Sequence, residues 1–260
     1  MKKSIIKTLP TALYLNLRWW DFKINKPDSF KKVQALRKRE TQQWSSYKPF
    51  DDKQAIFVHI PKCAGISINK SLFGNLAGGH TTLEQYVNIF EPKLFQSYFK
   101  FTFVRNPWDR VVSAYCFLNK GGFNQWDKDF YEKELAPYQN FSDFVKNWLT
   151  HENIFKHHHF KPQYTYIVDK YHKVSVDYIG YFETIEQDYQ YIANKMGVNT
   201  LLEKKNIVLR DDYKSFYNQE TKDIVADIYQ EDIKLFNYSF DKVNAYSRTF
   251  PFKDLQSQRF

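Results

Sequence analysis

Two strand-to-helix turns constrain this chain more than any other feature. The run Ala55-Ile56-Phe57-Val58-His59-Ile60 is apolar, of strand length, and stops at Pro61. Gly65 then opens a segment with helical spacing over residues 66–72. The run Phe99–Val104 repeats the plan. It ends at Arg105, with Asn106 as a helix N-cap and Pro107 in the first helical turn. Further strand-length runs cover residues 164–168 and 178–182, and the second of these leads into a helix over residues 185–196 closed by Gly197. Strands alternating with helices predict an α/β protein with a doubly wound, mostly parallel sheet flanked by helices. Such sheets take ligands at the carboxyl ends of their strands, which is where the unusual residues of this chain gather.

Charge and composition set the rest of the frame. The formal charge of +9 lies in residues 1–50, which carry 12 Lys and Arg against 3 Asp and Glu, whereas residues 51–260 balance at 26 of each. A neutral body gives no nucleic-acid footprint, so the chain divides into a basic, aromatic extension over 1–50 and a domain over 51–260. The polar stretch around Ser45 and Pro49 is the joint between them. In the extension, Tyr14, Trp19, Trp20 and Phe22 precede Lys31, Lys32, Arg37, Lys38 and Arg39. That pattern suits the surface of an acidic membrane, and it equally suits a solvated helix packed on the domain. No stretch reaches the ~20 apolar residues needed to span a bilayer. Two cysteines, Cys63 and Cys116, without metal-like spacing fit a reducing, cytoplasmic setting.

The first turn reads P-K-C-A-G-I-S, from Pro61 to Ser67. A small Ala64-Gly65 pair lets backbone amides approach an anion, and the following helix adds the partial charge of its N-terminus. Lys62 stands at the strand end as a mobile point charge for the same anion. In the second turn, R-N-P-W-D-R-V-V-S-A-Y from Arg105 to Tyr115, an Arg fork and the Ser113 hydroxyl are placed to clamp another phosphate. Each turn alone has an ordinary reading. The first is a structural turn, and in the second Arg105 pairs with Asp109 while Ser113 bonds back to its own helix. Together they fit one doubly phosphorylated nucleotide bridging both.

These motifs resemble those of sulfotransferases. The first is similar to their 5′-phosphosulfate loop, commonly P-K-T-A-G-T-S in the branch with bacterial and carbohydrate enzymes, and the second to their 3′-phosphate motif, R-N-P-x-x-R-x-x-S-x-Y. The likeness continues through H-H-F-K-P-Q (158–163), Y-I-G-Y-F-E-T-I-E-Q-D-Y (178–189) and Y-Q-E-D-I-K-L-F-N-Y-S-F (229–240), covering residues 54–240 in order. The resemblance implies a P-loop-NTPase-like sheet and transfer of a sulfuryl group from 3′-phosphoadenosine 5′-phosphosulfate (PAPS) to a hydroxyl acceptor, a saccharide in this branch, with no metal required. It implies that Lys62 contacts the phosphosulfate and that Cys63, Ala64, Gly65, Ile66 and Ser67 supply loop amides and the Ser67 hydroxyl. Arg105 and Ser113 would hold the 3′-phosphate, and Arg210 would reach the nucleotide from a later closing segment. His80, in G-G-H-T-T-L-E-Q-Y, resembles the second His of the H-G-H segment in heparan sulfate 2-O-sulfotransferases, which implies a general base.

The sequence departs from that pattern at Cys63 for Thr, Ile66 for a hydroxyl residue, Gly78 for a first His and Tyr181 for Arg. The departures bear on acceptor specificity more than on the donor. Three rivals are weighed against transfer: an inactive nucleotide- or glycan-binding protein, a nucleotide kinase, and a Cys63 phosphatase. The kinase lacks the Walker lysine arrangement, and the phosphatase loop would need Arg where Asn69 stands. His157, His158 and His159 are expected to diverge, as adjacent side chains do on a regular backbone, and to be structural or acceptor-facing rather than metal ligands. Aromatic residues between Phe117 and Trp148 are candidates to stack on a sugar ring.

Overall fold

The computed structural model describes residues 9–40, 45–169, 171, 173–203 and 211–241. Helices α1 (Thr11–Asn25) and α2 (Pro27–Lys38) lead into strand β1 (Ala55–Val58). Helices α3 (Gly65–Phe73) and α4 (Leu83–Ile89) follow, then β2 (Phe99–Val104) and α5 (Pro107–Asn119). Helices α6 (Gln125–Phe130), α7 (Phe141–Asn147) and the single turn α8 (Tyr164–Ile167) precede β3 (Tyr178–Tyr181). Then come α9 (Ile185–Lys195), α10 (Gln219–Ile228) and α11 (Gln230–Leu235).

The three strands form one parallel sheet in the order β1-β2-β3, with Ala55 opposite Phe99 and Phe101 opposite Tyr178. The strand order follows the sequence, so the reversal that marks a doubly wound sheet is not among the described strands. All four residues of β1 are buried, as are residues 100–104 of β2. Helices therefore cover both faces, as parallel strands require, and the polar Lys100 on β2 is satisfied inside by the Phe95 and Tyr98 carbonyls. Thr102 fits this apolar setting because its hydroxyl donates to the Val58 carbonyl at 2.7 Å.

Local chemistry sets the element ends. Asn106 caps α5 by accepting the Trp108 amide, and Pro107 sits where no helical donor is lost. Gly197, at φ 65°, follows α9. The expected strand over residues 164–168 is instead the helical turn α8. Asp232, buried on α11, accepts the amides of Gln163 and Tyr164 at 2.7 and 2.8 Å and so caps a turn where a strand would have needed a ladder.

A second apolar cluster lies around α5, α7 and α10, built on Trp108, Leu118, Phe144, Trp148, Phe160 and Tyr229. Much of the aromatic-rich segment thus serves as core, whereas Phe123 and Trp126 stay exposed.

The N-terminal helices are docked on the domain. Tyr14, Leu15 and Trp19 are buried, and Arg18 reaches Glu84 at 2.7 Å. Arg37 makes a two-pronged contact to Asp51, 2.9 Å on each prong, and reaches Glu91 at 2.7 Å. The other side of α1 leaves Leu13, Leu17, Trp20 and Ile24 exposed. No helix among the described residues is long and apolar enough to cross a membrane.

Candidate active site

The two expected turns leave neighbouring strands β1 and β2 at the same sheet edge and are fastened to each other. In the first, Lys62 and Ala64 both take left-handed backbone, at φ 69° and 60°, a conformation costing a non-glycine residue about 1–2 kcal/mol. Left-handed residues alternating with ordinary ones turn successive amides toward one concave side. Helix α3 begins at once, with no side chain capping its N-terminus. Its first amides have no acceptor within the helix, which is the arrangement an anion completes. Gly65 is needed here: a Cβ at this position would lie 1.9 Å from the His59 ring, which stacks on Phe57 at 5.6 Å.

In the second turn, Arg105 is buried and its guanidinium is partly committed. Nε donates to Asp109 at 2.7 Å and Nη1 to the Lys62 carbonyl at 3.0 Å, while the plane lies 4.0 Å from the Phe182 ring. The Asp109 pair expected of an ordinary turn is therefore present. The back-bond expected of Ser113 is not. Its hydroxyl makes no hydrogen bond among the described residues, and it lies one turn beyond Asp109 on the same helix face. Arg105 Nη2 likewise makes no hydrogen bond among the described residues, so this edge and Ser113 remain free to meet an anion.

Gln163 is the clasp that sequence reading did not single out. Its side-chain oxygen accepts the Arg105 amide at 2.9 Å and the Cys63 thiol at 3.4 Å, and its nitrogen donates to the Arg105 carbonyl at 2.8 Å. Arg110, also buried, donates to the Pro61 and Lys161 carbonyls at 3.1 and 2.8 Å. The hint in the sequence is that Gln163 closes the H-H-F-K-P-Q stretch of the family likeness, which by itself assigns the side chain no partner.

The titratable groups divide by environment. Burial pushes the Cys63 thiol up to about 12, which removes it as a nucleophile. Burial, reinforced by the charge of Arg105, pulls the Lys62 ammonium down to about 7. Lys62 Nζ rests 3.8 Å above the Phe117 ring.

His80 lies with His59 on one side, ring centroids 4.4 Å apart, and His158 on the other at 4.7 Å. Its Nδ1 is 3.2 Å from the His59 carbonyl. A carbonyl can only accept, so Nδ1 carries the proton and Nε2 is left as the base. Surrounding protein lowers its basicity even though one edge of the residue stays exposed, so the ring is neutral at neutral pH. His59, hidden inside an apolar run, is the second residue that sequence reading missed.

The three consecutive histidines converge rather than diverge, with ring centroids 4.1–4.8 Å apart. The expectation of divergence assumed a regular backbone, and residues 156–160 instead follow bends and turns. Burial lowers all three, His157 to about 4 and His158 to about 2. Trp126 stacks on His157 and His158 at 4.2 and 5.1 Å. Arg210 lies outside the described residues.

Two cation-bearing turns at one strand edge, with the Nε2 of His80 beside them, make up the candidate site. The sequence profile of the sulfotransferase family matches residues 45–239. The chain belongs to the sulfotransferase family. An uncharacterised protein of Archaeoglobus fulgidus is 37% identical over 124 residues, which cover 47% of this chain and 88% of that protein. No solved structure matches the chain.

The state of Lys62 leads to a measurable consequence. A phosphate beside the ammonium raises its proton affinity, so nucleotide binding above pH 7 should take up a proton. Affinity for adenosine 3′,5′-bisphosphate should fall by up to about tenfold per unit as pH rises above 7. Calorimetric titration at pH 8 in buffers of different ionisation enthalpy should show uptake approaching one proton, lost in Lys62→Met. Equal heats in all buffers would show that Lys62 is already charged in the free protein.

Proposed function

We propose that this protein transfers the sulfuryl group of PAPS to a saccharide hydroxyl on a P-loop-like, doubly wound scaffold. The observation that carries the reading is the pairing of the uncapped lysine turn with the arginine turn, with His80 Nε2 presented beside them. The residues fit the donor's two anionic ends. Loop amides of Cys63, Ala64, Gly65, Ile66 and Ser67, the Ser67 hydroxyl and Lys62 would hold the 5′-phosphosulfate. Arg105 Nη2 and Ser113 would hold the 3′-phosphate, with Arg210 a further nucleotide contact.

The donor supplies an activated S–O bond, and the protein's own groups do the rest. His80 Nε2 takes the acceptor hydroxyl's proton as the new O–S bond forms. Lys62 stabilises the phosphate oxygen that keeps the electron pair when the old S–O bond breaks. Both contributions grow as charge develops, which is how such groups lower a barrier. Exposed Trp126, held flat against two histidines, offers a face for a sugar ring.

Adenosine 3′,5′-bisphosphate should raise the melting temperature far more than adenosine 5′-phosphate, by about 2.7 kcal/mol of stability at 100 times its Kd. His80→Ala should keep that affinity while sulfate transfer from labelled PAPS to a glycan panel falls ~10²–10⁴-fold. Equal shifts from both nucleotides would remove the 3′-phosphate site, and full turnover without His80 would remove the base.

A peripheral membrane role fits the extension. Leu13, Leu17, Trp20 and Ile24 form an exposed stripe on α1, within the segment that carries the chain's net positive charge. Full-length protein should sediment with acidic liposomes at low salt and be released as salt shortens the Debye length to ~8 Å. Protein left in the supernatant at low salt would mean that the stripe does not meet lipid.

A further inference from the structure

Beside the catalytic turns, Asp127, His157, His158 and His159 each offer one ligand atom, and these atoms all lie within 4.8 Å of one another. We propose that the four form a closed binding site for a late first-row divalent metal ion, zinc above all. Asp127, His157 and His159 are only 2%, 1% and 6% exposed. Yet Asp127 Oδ1 and His157 Nε2 have no hydrogen-bond partner. Buried polar atoms are ordinarily paired, and a buried carboxylate oxygen left alone is costly. A cation between them would satisfy both.

The spacing is close to that of ligands on one ion. His157 Nε2 and Asp127 Oδ1 are 3.2 Å apart, without the alignment that would make them donor and acceptor. His158 Nε2 and His159 Nε2 are 3.1 Å apart. Two ligands on one tetrahedral zinc lie ~3.4 Å apart, given bonds of ~2.1 Å. Closing the quartet therefore takes adjustments on the order of 1 Å. Ligation through His157 Nε2 moves the ring proton to Nδ1 and gives up only a long contact, 3.3 Å from the His159 amide.

The groups behind the ligands are already set. Asp127 Oδ2 accepts the Phe123 amide at 2.8 Å, which turns Oδ1 inward. Gly122, at φ 67°, lets Asp127 close in, since a Cβ there would fall 2.1 Å from the Asp127 Cβ. The His157 ring is wedged between Trp126 and Phe130, at 4.2 and 4.3 Å, and His159 packs on Phe117 at 4.9 Å. Ligand orientation of this kind is what tunes metal sites. Three imidazoles and one carboxylate suit zinc in the borderline N/O class. Four protein ligands leave no open position, so the ion is structural. It would tie α6 and its leading loop to the segment that carries His158 alongside His80.

The test uses the full-length, tag-free chain after dialysis against a chelator, titrated with Zn²⁺ in competition with a chromophoric chelator. Co²⁺ would report geometry through its visible absorption. The expected result is one ion per chain, a raised melting temperature and a tetrahedral Co²⁺ spectrum. Loss of a ligand's supporting partner costs ~10–100-fold in metal affinity, and the paired change Asp127→Asn with His157→Ala should cost at least that. His158→Ala, at a less buried position, is a second variant expected to weaken binding at least about tenfold. His151→Ala, an exposed histidine paired with Asp227, should bind like the wild type. A melting shift with adenosine 3′,5′-bisphosphate checks that each variant is folded. Less than one ion per wild-type chain, or wild-type affinity in the ligand variants, would overturn the site.

Discussion

The fastening of the β1 turn to the β2 turn is the interaction on which the rest of the site depends. Gln163 holds the Arg105 backbone from both sides and the Cys63 thiol as well, while Arg105 and Arg110 bond the carbonyls of Lys62 and Pro61. Each neutral bond contributes about 1 kcal/mol net, yet leaving its buried partner unmade costs about 1–3 kcal/mol. The clasp is therefore held more by what its loss would strand than by its own strength. It also explains how Lys62 and Ala64 persist in strained backbone, since their surroundings fix the loop on both sides.

The same fastening concentrates positive charge. Lys62, Arg105 and Arg110 crowd one sheet edge, with Asp109 the close carboxylate partner of Arg105. Burial, and after it the charge of Arg105, lowers the proton affinity of Lys62, and the uncapped α3 N-terminus adds its own partial charge. A polyanion relieves both strains at once. His80, held by a carbonyl in one tautomer, leaves Nε2 as its basic nitrogen beside these cations, which is the role the proposed transfer gives it.

How much of this could be read from sequence depended on how local the cause was. Phe99–Val104 and the Asn106 cap were legible because apolar run, cap and Pro107 stand next to one another. The α8 turn was not, because the carboxylate that caps it comes from Asp232, 68 and 69 residues away. The convergence of His157, His158 and His159 was hidden for a similar reason. Only the irregular turn, and Asp127 arriving from α6, bring those rings to a common point. Lys62, Arg105 and Ser113 came from motif and spacing, whereas Gln163 and His59 emerge only once the two turns are seen together.

The central claim is that one nucleotide spans both turns. Hydrogen–deuterium exchange with and without adenosine 3′,5′-bisphosphate tests it directly, because backbone amides report each turn separately. Peptides covering residues 61–67 and residues 105–113 should both gain protection on binding, while adenosine 5′-phosphate should protect the first much more than the second. Protection confined to one turn under the bisphosphate would contradict the bridged site.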